Sequence, residues 1–415
     1  MLNYDNTKYA REFFLKSPKY FLPIAAFFFF SFTAVTNIFV ILTIITTTII
    51  FLKKRDYKIL LQSNIVRYSL LIYISLVLSF FYTTGNDFEI MDSLKKYIKF
   101  LYIPIIIYYT STYNNENLII SYFIKGSFLI LCFSYLKYFG ILDFKAIYDF
   151  LDYANIATIK SKIVFDETGV FQNYLTQGII FSFLSFISFI FAKKNNNFFL
   201  YFVSAFSFIN VLFLNNSRTA FILVFLLLLI IFLKYVKINK LIVFIGAVSI
   251  FLIIGLTHIG DNFFERVVRI NHDIELMSND NFNSSVGKRY LWLQSGIDNI
   301  KNKPIFGYGV GSYKTKIIDY ISLNSVNIDA SLIVTNNPHS EFISISTQLG
   351  LFGLALFIIF LISLYKETDS NFLAYGIFST VAISSLFNSA FYDNILGIFL
   401  IIISLSYIKI EKIKI

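Results

Sequence analysis

The sequence predicts an all-α, polytopic membrane protein with about twelve transmembrane helices and one large, partly helical extracytoplasmic loop. Composition comes first: of 415 residues, 57% are hydrophobic, 19% aromatic and only 14% charged. Soluble domains carry about 25% charged residues, and a globule in water could not cover this much Phe, Ile and Leu with polar surface. The apolar residues are also gathered in runs of spanning length, about 15–22 residues, and a bilayer solvates such runs directly. Finally, the one long polar stretch, residues 258–340, lies between two groups of these runs.

Taken in order, the runs fall at 20–36, 37–52, 67–82, 98–112, 118–137, 174–192, 198–214, 219–234, 241–257, 341–365, 371–389 and 395–409. Residues before the first run are polar and charged, and the run is followed at once by a second, so 20–36 reads as a permanent helix rather than a cleaved signal. The expected organisation is an N-terminal bundle of about nine helices over 1–257, the loop over 258–340, and three further helices over 341–415.

Lysines and arginines set the orientation. Arg11 to Lys19, Lys53 to Lys58, Lys193-Lys194, Lys234 to Lys240, Lys366 and Lys409 to Lys414 are the expected cytoplasmic segments. The alternation then puts 83–97, 138–173, 215–218 and 258–340 outside, with both termini inside. Segment 83–97 departs from the rule, because Lys95, Lys96 and Lys99 crowd the mouth of a span. Contact with lipid headgroups accounts for them, and so does a second role in holding an anion.

The outer face gathers the residues with chemical potential. The chain has 28 Lys but 7 Arg, and Arg218, Arg266, Arg269 and Arg289 all fall in outer segments, with all three histidines, His258, His272 and His339. A planar guanidinium fork kept where Lys is the default cation suits bidentate recognition of phosphate. Arg266 and Arg269 equally suit pairing with Asp261, Glu265 or Asp273. Arg218 sits in Asn215-Asn216-Ser217-Arg218-Thr219, between two apolar helices with almost no loop, so its charge lies at the membrane boundary or in a polar cavity. His339 stands where the chain returns to the membrane, in Asn337-Pro338-His339-Ser340-Glu341, with Pro338 suited to the first turn of the next helix. At that depth it fits a general base or a simple hydrogen-bonding residue.

In the loop, Leu291, Trp292, Ile297 and Ile300 give residues 286–302 an amphipathic helical pattern, ended by Asn302-Lys303-Pro304. Gly307, Gly309 and Gly311 mark a turn. No Gly-Lys-Ser/Thr follows and no strand precedes it, so the run is close backbone packing rather than a nucleotide loop.

Other classes are disfavoured. The net charge of +10 comes in short clusters between apolar runs, which speaks for topology and lipid contact rather than nucleic acid. The single Cys132 allows neither a disulfide framework nor a thiolate metal site. The scattered histidines lack metal-ligand spacing. A transporter would carry midplane charges and related halves; Lys125 is the clearest charge inside a span, and no matching halves are visible.

Three blocks together resemble the bacterial O-antigen ligase family, whose signature region is shared with O-antigen polymerases. Ser217-Arg218-Thr219-Ala220 resembles the family's Ser-Arg-small motif between two helices. Ser284-Ser285-Val286-Gly287-Lys288-Arg289, with Lys303-Pro304-Ile305-Phe306-Gly307-Tyr308-Gly309, is similar to the loop's Arg-bearing helix and its Pro-hydrophobic-Gly-x-Gly turn. His339-Ser340, nine residues and then Gly350-Leu351-Phe352-Gly353-Leu354 resembles the ligases' His-(Asn/Ser/Gln)-x9-Gly-x-x-Gly-Leu. The blocks span about 215–355; elsewhere only hydropathy agrees. An early loop Arg is common in the family, and either Arg266 or Arg269 fills that place.

The resemblance implies a GT-C-like glycosyltransferase of the bacterial inner membrane. It would move a glycan from undecaprenyl pyrophosphate to a sugar hydroxyl of the lipid A core on the periplasmic face. Arg218 and Arg289, with Arg266 or Arg269 and with Lys95, Lys96 and Lys99, would stabilise the leaving pyrophosphate in place of a metal. His339 would take or orient the acceptor proton for direct attack with inversion. No cofactor is implied. The nearest alternative is an O-antigen or exopolysaccharide polymerase, whose acceptor is a second lipid-linked glycan; a polysaccharide transporter or flippase is the reading from another class.

Overall fold

In a computed structural model, residues 17–54, 61–142, 169–235, 272–278, 281–324, 337–368 and 371–408 are described. Their regular structure is all helical, and their only β-type pairing is an isolated antiparallel bridge between Thr368 and Ile408. In chain order the helices are α1 (Phe21–Phe28), α2 (Thr33–Lys54), α3 (Asn64–Leu78), α4 (Asp87–Tyr97), α5 (Lys99–Tyr113), α6 (Glu116–Tyr138), α7 (Tyr174–Asn195) and α8 (Phe198–Ile209). After these come α9 (Arg218–Tyr235), α10 (Ser285–Asn302), α11 (Tyr313–Leu323), α12 (Glu341–Glu367), α13 (Asn371–Phe387) and α14 (Asn394–Leu405).

Six of these are long and apolar enough to cross a bilayer: α2, α3 with its extension to Tyr82, α6, α7, α9 and α12. At about 1.5 Å per residue, 20 residues reach across the roughly 30 Å hydrocarbon core. They coincide with the runs expected at 37–52, 67–82, 118–137, 174–192, 219–234 and 341–365. The runs at 198–214, 371–389 and 395–409 correspond to shorter apolar helices. The run at 98–112 is the 15-residue α5, which contains Pro104, and the run at 241–257 lies outside the described residues. The first expected pair divides earlier than its hydropathy suggests. Phe28 O accepts from Ser31 N (3.0 Å) and Phe32 N (2.9 Å), ending α1 in a turn, and α2 already begins at Thr33.

Helix ends are set by the residues that suit them. Asn86, Asn173, Ser284 and Asp393 accept an N–H of the first turn at 2.8–3.0 Å, as N-caps do. Asn114 and Asn196 take left-handed φ of 45° and 49° and close α5 and α7. The core is aromatic: Phe29 and Phe399 stack 5.4 Å apart, and Phe123 lies 5.6–5.7 Å from both. Small residues bring helices close where the site is built. A Cβ on Gly178 would lie 2.6 Å from that of Ala220 and 2.7 Å from Asn215 Oδ1. Ser182 Oγ, one turn on, donates across to Ala220 O at 3.0 Å.

The glycine turn of the loop and the break in α12 are one structure. Gly350 has φ 65° and ψ −159° inside α12, which interrupts the hydrogen-bond ladder. Backbone groups at membrane depth must find partners within the protein, and the turn supplies them. Tyr308 N donates to Thr347 O and Gly309 N to Gln348 O, both at 2.9 Å. Leu351 N donates to Pro304 O (2.7 Å) and Phe352 N to Ile305 O (3.2 Å). Gly309 (φ 87°) also approaches Thr83, where a Cβ would meet Thr83 Cα at 2.4 Å. The close backbone packing expected of Gly307, Gly309 and Gly311 is therefore present, against α12, α4 and the segment before α4.

Candidate functional site

Arg218 opens α9, and the turn before it is fixed by its own side chains. Asn215 Nδ2 donates to Tyr174 O (3.0 Å), Ser217 N donates to Asn215 Oδ1 (2.8 Å), and Ala220 N donates to Ser217 Oγ (3.2 Å). Gly178 admits this turn against α7, where a Cβ would meet Asn215, Ser217 and Ala220. Arg218 Nη1 lies 3.7 Å from Asp273 Oδ2, and the guanidinium is partly exposed.

The second arginine comes from the loop helix. The amphipathic pattern at 286–302 folds as α10, whose apolar side carries Leu291 and Trp292 onto Tyr313, Ile317 and Ile321 of α11 and onto Ile343. Gly296 lets α10 lie against α12, since a Cβ there would be 2.9 Å from Ile343 Cγ2. Arg289 is thereby held half-buried. Burial pushes its pKa below the ordinary guanidinium value, Tyr174 opposes that shift, and the positive charge of Arg218 adds to it. The two guanidinium groups thus share one electrostatic neighbourhood.

His339 completes the group. Its φ is +50°, and its N–H donates to Asn337 Oδ1 at 2.9 Å in a tight turn. The imidazole stacks on Trp292, ring centroids 4.9 Å apart and planes 29° from parallel. Its pKa is lowered to about 4, first by burial and then by the charge of Arg289, so the ring is neutral at pH 7. Ser340, rather than the proline, begins the helix that follows, with Ile343 N donating to its Oγ at 3.5 Å. Pro338 stands two residues before that cap, because the His339 turn intervenes. Glu341, fully buried, accepts N–H bonds from Phe391 (2.8 Å) and Tyr392 (3.4 Å) and so fixes this end of α12 to the segment before α14.

The lysines occupy a different place. Lys99 Nζ donates to Asp393 O (2.7 Å) and Tyr392 O (3.4 Å). Lys96 Nζ is 3.0 Å from Asp92 and 4.0 Å above the Tyr392 ring, and Lys95 is exposed. Thus Arg218, Arg289 and His339 converge, Lys95, Lys96 and Lys99 form a second group, and Arg266, Arg269 and His258 lie outside the described residues. Sequence reasoning missed Tyr174 and Glu341, offered Asp273 as a partner for Arg266 or Arg269 rather than for Arg218, and read Trp292 only as part of an apolar helix face. Tyr174 stands just before Gly178, and Glu341 is a carboxylate at the mouth of a span, a signal that a search for buried charge would find. Among the described residues no group of three His, Cys, Asp or Glu side chains gathers as a metal site requires.

A guanidinium beside a neutral imidazole, with a second guanidinium in the neighbourhood of the first, can neutralise growing negative charge while accepting a proton. Residues 178–358, from α7 into α12 and including Arg218, Arg289 and His339, match the family model described as O-antigen ligase. A comparison with curated proteins found no match for the chain.

Proposed function

We propose that the chain, whose residues 178–358 match the family model described as O-antigen ligase, transfers a glycan from undecaprenyl pyrophosphate to a sugar hydroxyl of the lipid A core. The observation that supports this most is the half-buried, neutral His339 held against Trp292 in the field of Arg289. A neutral imidazole accepts a proton, and a nearby fixed positive charge favours an anionic donor. On this reading the chain is a GT-C-like inner-membrane protein with about twelve spans. Its Arg and His end faces the periplasm.

In the reaction, the acceptor oxygen forms a bond to the anomeric carbon of the donor sugar as the bond from that carbon to the pyrophosphate oxygen breaks. His339 takes the hydroxyl proton. The departing pyrophosphate gains one negative charge, which Arg218 and Arg289 stabilise, with Arg266 or Arg269 as a further loop contribution. Attack opposite to the leaving group inverts the anomeric centre. The reaction then needs no metal, since the guanidinium groups supply the charge.

The test is a gene deletion complemented with variants, read by surface glycolipids and by the undecaprenyl-linked pool. Loss of surface O-chains with long polymer accumulating on the carrier lipid is the expected result. Lipopolysaccharide with a single repeat unit would replace the ligase by a polymerase, and a pool trapped on the cytoplasmic face would overturn both. Arg289→Lys keeps the charge and loses the fork, so it should complement poorly while inserting normally. His339→Ala should abolish transfer and leave donor binding largely intact.

A further inference from the structure

A cavity of about 300 Å³ lies between α2, the junction of α4 and α5, and α14. Lys95, Lys96 and Lys99 line it with no carboxylate among the lining residues, and neither arginine of the site above nor His339 takes part. It nevertheless lies at the same end of the bundle as His339. Glu341 holds the amides of Phe391 and Tyr392, and Lys99 holds the carbonyls of Tyr392 and Asp393.

The chemistry of the lining is specific. Lys99 is 3% exposed, and a cation so far from water requires partners. An ammonium has three N–H donors, two are met by carbonyls, and no ion pair accompanies them among the described residues. The carboxylates nearby are engaged: Asp92 with Lys96, Asp393 as the cap of α14, and Glu341 on two backbone amides. Lys95 stands exposed beside them. The other walls are apolar, with Val40, Ile41, Tyr102 and Ile398, and Ile41 lies on the exposed apolar face of α2 beside Ile38 and Ile45. Clustered ammonium groups above apolar walls that open onto a lipid-facing helix match a phosphate carried on a lipid, polar at one end and hydrocarbon at the other.

We infer that this cavity is a second lipid-phosphate site, which holds the phosphate of the acceptor lipid through Lys95, Lys96 and Lys99 while the arginines hold the donor. The assignment to the acceptor rests on the function proposed above; the phosphate site itself rests on the cavity.

The test uses the full chain in phosphatidylcholine nanodiscs, with phosphatidic acid as the probe and thermal unfolding as the readout. Phosphatidic acid should raise the midpoint of the native protein, and inorganic phosphate should not. The shift should vanish in Lys99→Gln and shrink in Lys95→Gln, whose exposed position leaves the fold intact, and it should persist in Arg289→Gln. In transfer assays Lys95→Gln should raise KM for the acceptor lipid by about tenfold, the loss of one charge-assisted contact, with the donor KM unchanged. An equal shift with inorganic phosphate would make this a free-anion site and overturn the lipid assignment. No shift, or a shift lost in Arg289→Gln and kept in the lysine variants, would overturn the site. Lysine-dependent binding in a protein without transferase activity would sustain the phosphate site and sink only the enzymatic reading.

Discussion

The indole of Trp292 lies over the imidazole of His339 with ring centroids 4.9 Å apart, which ties the loop helix to the turn that precedes α12. His339 sits at φ +50°, a conformation uncommon for non-glycine residues but one that His adopts more often than most, and its ring is held in one orientation by the stack on Trp292. Trp292→Ala should lower kcat by about ten- to a hundredfold through loss of that orientation. Trp292→Phe should recover most of the rate, and KM should move little in either. An unchanged kcat in the alanine variant would mean that the backbone turn alone orients the ring.

The pH profile follows from the two causes that hold the His339 pKa at about 4, against an ordinary value of 6.5. The basic form persists through the mildly acidic range, so the acid limb of kcat/KM should fall near pH 4 rather than 6.5. Arg289→Gln removes the second cause, and the limb should then move upward. Stability carries the matching sign. Between pH 6.5 and 4 the unfolded chain binds a proton that the folded chain refuses, so the contribution is complete above 6.5 and is lost as pH falls through that window. Unfolding midpoints measured across it, for the native protein and for His339→Gln, provide the check; parallel curves would refute the linkage.

Much of this was readable in the chain because the features are local. Ser217-Arg218 falls where two apolar runs meet, and the helix expected at 286–302 is α10, Ser285–Asn302. The glycines of 307–311 announced a tight backbone approach. What hydropathy could not register is pairing over long sequence distance. Trp292 and His339 are neighbours only because α10 packs on the start of α12, and apolar periodicity cannot distinguish a core tryptophan from one that supports a histidine. The length of the apolar run at 341–365 likewise hides a break at Gly350, since hydropathy records side chains and not the partners of backbone amides. The lysines near 95–99 were visible as an exception to the charge rule, but their separation from the arginines depends on where α4 and α14 come to rest.

The break in α12 makes a sharp stability prediction. Gly350→Ala would force a Cβ to 2.4 Å from Ile305 O at a φ of 65°, so both strain and collision act. The cost should be of order 3 kcal/mol or more, seen as a lower unfolding midpoint in detergent and reduced accumulation in membranes. Gly140, also at positive φ but with nothing within 4 Å of a Cβ, is the control, and Gly140→Ala should cost only the conformational strain, about 1 kcal/mol.

Glu341 tests whether the end of α12 is held by a carboxylate or merely packed. Its Oε2 accepts the amides of Phe391 (2.8 Å) and Tyr392 (3.4 Å) at a fully buried position. Removing the side chain leaves two buried N–H groups without an acceptor, each costing about 1–3 kcal/mol. Glu341→Ala should therefore destabilise the protein by roughly 2–6 kcal/mol. Glu341→Gln keeps one acceptor oxygen at the same reach and should recover most of the loss. Unfolding midpoints of the two variants give the comparison. Equal losses would show that the charge, in the field of Lys99, matters more than the hydrogen bonds. Two near-native midpoints would show that aromatic packing around Phe391, stacked 5.0 Å from Phe100, holds this end without the carboxylate.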